Sequence, residues 1–264
     1  MRMDTTPAVS VPFRDHLSAA FDRIELAHEQ HRGDRPPPTV AERFGPLLPG
    51  TLTVVTSSEP ALADRAALTV ADGLAVARQT PVVLADPTTD PTGTALRMIA
   101  AGGRVDLSRL TSGQTKDTDW PKISKAIGRL ADVPVDVIAS PNLDLATVER
   151  TVGDVTARQG VPVVVLMGGH LFEAAVDRPT RHEELDDLAA SLKLLARRTS
   201  SAVLVAFTTT DPGAGRLAAD THIGLTAGEY GAVHADVWSA TGSHNTIALI
   251  DLPAQTRVAI ARPV

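Results

Sequence analysis

The sequence predicts an α/β fold built on a mainly parallel sheet with helices on both faces. Short apolar runs alternate with amphipathic helical segments between Gly50 and Phe207, the rhythm expected of right-handed crossovers onto parallel strands. The hydrophobic fraction is 43% but aromatics are only 3%. Val, Leu, Ile and Ala must therefore fill the core, which suits strands buried on both faces. The chain has 264 residues, enough for one large domain or two small ones.

Residues 1–14 form an expected loose tail, with two prolines in the first twelve residues and no periodic pattern. From Asp15, a candidate N-cap, Leu17, Phe21, Ile24 and Ala27 recur at helical spacing. This predicts an amphipathic linker helix over 15–34. It stops at Arg35-Pro-Pro-Pro38, because proline cannot continue a helix and restricts the residue before it. Residues 35–264 are expected to form the main domain. Strands are predicted at 52–56, 81–85, 135–139, 162–167 and 202–207, the fourth central as the most apolar. Helices are predicted at 61–78, 91–102, 117–131, 144–158 and 182–198. In the third, Trp120, Ile123, Ile127 and Leu130 share one face. In the last, Leu185, Leu188, Ala189, Leu192, Leu195 and Ala196 do so. The stretch from His222 to Ile260 reads as β-rich, most clearly at 246–251 and 257–261.

With no cysteine, disulfides and thiolate metal sites are excluded. No run of about 18 uncharged apolar residues predicts a membrane span, and the N-terminus lacks a signal-peptide pattern. A cytoplasmic protein is the simplest expectation. The net charge of −6 argues against strong, sequence-independent nucleic-acid binding, which relies on neutralising phosphates.

Several stretches, in their order along the chain, resemble the C-terminal motor domain of DnaB-type replicative helicases. The most specific is Arg104-Val-Asp-Leu-Ser-Arg-Leu-Thr-Ser-Gly-Gln114, followed by Asp119-Trp120. Phe21-Asp-Arg-Ile-Glu25 resembles the family's linker, Pro49-Gly-Thr-Leu-Thr-Val-Val55 the strand entering its phosphate loop, and Leu188–Arg198 the helix after its second nucleotide motif. The resemblance covers roughly residues 14–260. It implies a RecA-like, P-loop-type fold with an N-terminal linker helix and a β-rich C-terminal end.

Where the resemblance implies nucleotide chemistry, the residues depart from it. A phosphate loop needs glycines, a lysine for the terminal phosphates and a hydroxyl for Mg²⁺. The matching stretch, Thr56-Ser-Ser-Glu-Pro-Ala-Leu-Ala-Asp64, has no glycine or lysine. Ala63 and Asp64 stand at the Lys-Thr positions, and Glu59 adds another negative charge. The second motif's metal-holding aspartate is missing from Val163-Val-Val-Leu-Met-Gly-Gly-His170, where Leu166 stands. Asp86 is the nearest match to the catalytic glutamate. Thr208 replaces the γ-phosphate sensor, and Val237–Gly242 carries no cation where the resemblance places the residues that reach a neighbour's nucleotide. No cofactor or metal is expected.

The resemblance also implies channel loops that follow DNA. Here they are reduced to Arg178 and Arg181 in one stretch and Arg216 in the other, and a solvated turn is the simpler reading. His28 and His31 lack a third ligand. His222, His234 and His244, with Asp236, lack a ligand-spaced motif. Gly168-Gly-His170 ends a central strand, where parallel folds bind ligands, although a tight turn is the simpler reading. No base pairs with Ser57 or Ser58, and Trp120 and Trp238 read as core or interface residues. Three of the four lysines, Lys116, Lys122 and Lys125, lie close together with Arg129.

The preferred expectation is a non-catalytic, helicase-derived assembly, scaffold or regulatory protein. It would self-associate or dock on a helicase-type partner through Leu17, Phe21 and Ile24. The alternatives are a single-stranded nucleic-acid-binding module using Arg178, Arg181 and Arg216, and an enzyme or ligand-binding protein with new chemistry at the old crevice.

Overall fold

The computed structural model describes residues 47–59, 61–141, 143–172, 180–228 and 233–249. All belong to one compact unit, Pro38–Val264. The expected linker helix, with Leu17, Phe21 and Ile24, lies outside the described residues.

The described residues form an eight-stranded sheet in the order β3-β2-β4-β5-β1-β6-β7-β8. Its strands are β1 (Leu52–Ser57), β2 (Val82–Asp86), β3 (Val135–Ala139), β4 (Val163–Leu166), β5 (Val203–Thr208), β6 (Thr221–Ala227), β7 (Val233–Ser239) and β8 (His244–Leu249). The first six run parallel; β7 and β8 are added antiparallel. β1, β2 and β4 are buried along their whole length. Their aliphatic runs follow from that, since alternation would put polar groups into one of two apolar layers. β4 lies inside the sheet between β2 and β5, as its apolar run predicts.

Helices cover both faces. On one, α1 (Leu62–Asp72), which continues as a π turn over Gly73–Ala77, packs Ala63, Ala66, Ala67 and Val70 against Val55, Leu84 and Val165. α2 (Pro91–Gly103) adds Met98. On the other, α5 (Leu145–Gln159) and α6 (Arg181–Thr199) pack Val148, Val152, Leu185, Leu188 and Leu192 against Val54, Val164 and Val205. α6 starts with a reciprocal cap, Thr180 and Glu183 each bonding the other's backbone. At the strand N-terminal end, Lys193 of α6 ion-pairs with Asp220, whose Oδ2 also accepts from Leu52 N at 2.7 Å. This ties α6 to the start of β1.

Two short helices differ from expectation. α3 (Leu107–Ser112) was too short to show periodicity; Asp106 caps it, accepting from Ser108 N at 2.8 Å. α4 (Trp120–Leu130) does not bury its predicted stripe. Ile123 is buried, but Trp120 and Ile127 are 56% and 48% exposed. The cause is the partner helix. Gly102 and Gly103 bring α2 close to Ala126 of α4, within 3.7 and 3.6 Å of where their own Cβ atoms would stand. The contact is thus centred on Ala126, and one flank of the stripe is left outside. Trp120 is therefore not a core residue.

At the C-terminal end, β8 begins at His244, before the predicted strand at 246–251; residues 257–261 lie outside the described ones. β6 and β7 mix exposed and buried positions, so neither stands out as an apolar run. The antiparallel register aligns His222, Trp238 and His244 in one row. Trp238 stacks on His244 with ring centroids 5.0 Å apart, and Arg216 lies 4.7 Å over the indole. His222 is buried, and burial together with the nearby Arg216 pushes its pKa down to about 4. The unfolded chain takes up this proton near pH 6.5 and the folded chain only near pH 4. Stability present above pH 6.5 should therefore be lost as pH falls through that window. Denaturant titrations should show His222→Phe flattening this acid slope relative to the parent chain.

Candidate functional site

The C-terminal ends of parallel strands are where such folds bind ligands. Here the ends of β1, β2, β4 and β5 converge on a small, mostly occupied polar centre. Between β1 and α1, Ala61 takes a left-handed φ of 61°. Ser57, buried at the end of β1, accepts from Glu59 N at 3.1 Å, and Glu59 itself is exposed. Three residues into α1, Asp64 turns inward. Its Oδ1 accepts from Gly168 N, in the turn after β4, at 2.7 Å. Burial pushes its carboxyl up to about 6. The Gly168 bond opposes this, Asp86 adds to it, and Arg97 opposes it again.

Asp86, at the end of β2, is fully buried and saturated with donors. It accepts from Thr88 N at 2.9 Å, Thr88 Oγ1 at 2.5 Å, Thr94 Oγ1 at 3.0 Å and Arg97 Nη1 at 2.9 Å. Arg97 projects from α2, and its side chain is 16% exposed. A buried carboxylate with this many donors and a guanidinium is fully satisfied as it stands. Gly168, at a left-handed φ of 56°, leaves no room for a larger residue. A Cβ there would lie 2.7 Å from Thr88 Cγ2, so the turns after β2 and β4 are in contact. His170 lies in the 3-10 turn Gly169–Leu171, and its Nδ1 accepts from Thr208 N at 3.3 Å. Burial, and then Arg181, lower its pKa. The glycine pair and His170 thus form a tight turn against β5.

The structure thus brings Asp64, Asp86, His170 and Thr208 to one end of the sheet. Ala63 and Leu166 lie instead in the two hydrophobic layers, on opposite faces. Arg178 lies outside the described residues. Arg181 pairs with Glu184, and Arg216 is engaged on Trp238. Among the described residues no three His, Cys, Asp or Glu side chains gather as a metal site. Sequence reasoning missed Arg97 and the Gly168 amide. The signal for Arg97 was an arginine on the helix following the strand that ends in Asp86.

Two substitutions test this centre. The folded Asp64 ionises near pH 6 and the unfolded one near 3.8, so its ionisation costs stability as pH rises across that interval. Asp64→Asn keeps an acceptor for Gly168. It should match the parent below that range and exceed it by about 1–3 kcal/mol at neutral pH and above. Arg97→Met leaves Asp86 buried without its counter-charge and should cost about 3 kcal/mol or more. Chemical denaturation across pH measures both.

The family profile for the DnaB-like helicase C terminal domain matches residues 45–208, more than half of the chain. The chain is 25% identical over 199 residues to the Replicative DNA helicase DnaB of Leifsonia xyli subsp. xyli, covering 74% of this chain and 43% of that protein. It is 21% identical to that of Geobacillus stearothermophilus, covering 72% and 43%. The chain thus spans less than half the length of these relatives. Among solved structures, one described as an ATPase domain superposes with a TM-score of 0.73 at 16% identity, covering 93% of this chain and 98% of that one. A DnaB-like replicative helicase, described with its primase interactions, gives 0.71 at 14% identity, covering 94% and 67%. Both share the RecA-like arrangement of strands and helices seen here. With its profile match running from the strand-entry segment to the end of β5, the chain belongs to the DnaB-like helicase C-terminal domain family.

Proposed function

We propose that this chain is a non-hydrolysing member of its family that acts by association, with further copies of itself or with a helicase-type partner. One observation carries the reading: Asp64, which the resemblance matches to the family's metal-holding hydroxyl, is bound instead to the Gly168 amide at 2.7 Å. A triphosphate brought there would face two carboxylates, Asp64 and Asp86. Asp86 and Arg97 are already committed to each other. Negative charge against negative charge at such range costs binding energy. The stretch Thr56–Asp64 offers neither the glycines nor the ammonium group that phosphate cradling needs.

Association draws support from the exposed Trp120 and Ile127 of α4 and from the apolar stripe Leu17, Phe21 and Ile24. An amphipathic helix gains most of its stability by burying that stripe. One structurally similar protein is a replicative helicase whose structure is described with its primase interactions. A regulatory or scaffolding role next to such machinery fits a domain that keeps the shape and lacks the motor residues. Nucleic-acid binding through Arg181 and Arg216 draws less support, since each already has a partner. New chemistry at the crevice also draws less, since Asp86 has no acceptor capacity to spare.

Purified protein should release no phosphate from ATP or GTP with Mg²⁺ above background. Magnesium-dependent turnover abolished by Asp64→Ala would remove the reading. In light scattering, the full chain should exceed its monomer mass of 27.7 kDa. Leu17→Glu with Ile24→Glu should return it to that mass. Equal masses for both chains count against association through the linker helix.

A further inference from the structure

Beside the close crossing of α2 and α4 opens a cavity of about 360 Å³, within the range of small-molecule sites, about 300–1,000 Å³. Gly102, Gly103 and Ala126 contribute its small residues, and Arg104, Lys122, Lys125 and Arg129 its charges. Four cations thus border one concavity in a chain of net charge −6. Among the described residues Asp72 alone answers them, 3.3 Å from Arg129 Nη2. No ion pair or side-chain hydrogen bond engages Arg104, Lys122 or Lys125 there.

Helix electrostatics do not account for this set. Arg104 and Arg129 stand at helix C-terminal ends, where the backbone dipole favours cations. Lys122 stands in the first turn of α4, where it opposes a cation, and Lys125 at the midpoint, where it favours none. Arg104 takes a φ of 52° after α2, a conformation that glycine adopts most cheaply. A charged side chain is kept there all the same. The glycines permit the close crossing that borders the cavity: a Cβ on Gly102 would lie 2.5 Å from Arg129 Nη2, and one on Gly103 would lie 3.3 Å from the Lys122 carbonyl oxygen. At 100° per residue, Lys122, Lys125 and Arg129 fall on the flank of α4 opposite Trp120 and Ile127. The cavity is therefore separate from the exposed apolar pair, and it is not the strand-end crevice.

We propose that this cavity binds a small, multiply charged phosphate-class anion, either pyrophosphate itself or the diphosphate of a small molecule. Guanidinium groups match phosphate oxygens in pairs and ammonium groups add point charge. Two of each, offset among the described residues by Asp72, balance an anion carrying several charges. A half-open pocket of this size suits a compact anion, whereas a nucleic-acid strand needs an extended basic track, and the chain's overall negative charge repels long polyanions.

Calorimetry and thermal melts of the full chain should test this with pyrophosphate, ADP and citrate in magnesium-free buffer at constant ionic strength. Pyrophosphate should bind saturably and raise the melting temperature, more weakly as salt increases. Lys122→Gln with Lys125→Gln should lower affinity by about tenfold or more. The same variant should melt no lower than the parent without ligand, since two repelling charges are gone. Asp64→Asn should bind as the parent does, separating this cavity from the crevice. ADP binding with the same lysine dependence assigns the diphosphate of a nucleotide-like molecule; pyrophosphate alone assigns the free anion. Absence of saturable binding, equal affinity in the lysine variant, citrate binding as tightly as pyrophosphate, or binding of a single-stranded oligonucleotide without pyrophosphate would each overturn the proposal.

Discussion

The hydrogen bond from Gly168 to Asp64 sets the character of this molecule. It joins the first turn of α1 to the turn after β4, the two segments between which a fold of this kind opens its crevice. An acid in the first turn of a helix is favoured by the backbone dipole, and here it also finds an amide donor. Burial makes the ionised form costly, so the carboxyl titrates near pH 6. The arrangement resembles a closed latch more than a ligand cradle. The acceptor that holds the loops together carries the same sign of charge as the ligand it would need to receive.

Around that latch, the buried Asp86–Arg97 pair works by satisfaction and not by net attraction. Removing two charges from water costs several kcal/mol each, and the pair recovers this only if the remaining lone pairs are bonded. Thr88 and Thr94 supply those bonds. The threonines and Arg97 come from the loop after β2 and from α2. Saturating Asp86 therefore also fixes where α2 leaves the sheet.

Much of this was legible from residue types. The aliphatic runs at β1, β2, β4 and β5 could only be strands buried twice, and Asp64 and Asp86 stood out as acids where the family resemblance implies a hydroxyl and a glutamate. Their partners were not legible. Arg97 is eleven residues from Asp86, and Gly168 meets Asp64 across 104 residues; only the crossover connections bring such groups together. The α4 stripe failed for a related reason. Periodicity gives a helix its apolar side, but the partner's shape decides how much is covered. Two glycines on α2 moved the contact toward Ala126 and left Trp120 outside. The basic flank of α4 was visible as Lys122, Lys125 and Arg129, yet Arg104, from a different helix, gives it depth.

These features meet in α2. Near its middle Arg97 is held by a buried carboxylate, and at its end Gly102, Gly103 and Arg104 border the basic cavity. At 1.5 Å per residue, five to seven residues of helix put about 8–10 Å between the two. A helix anchored by a saturated ion pair is stiff on that scale, so Asp86, beside the latch, also helps to position Arg104 at the edge of the cavity. The sequence thus disposes its charge in two ways on either side of α2: carboxylates are buried and spent where the family's chemistry would need cations, and Arg104, Lys122 and Lys125 are left unspent on a surface where the fold alone requires none.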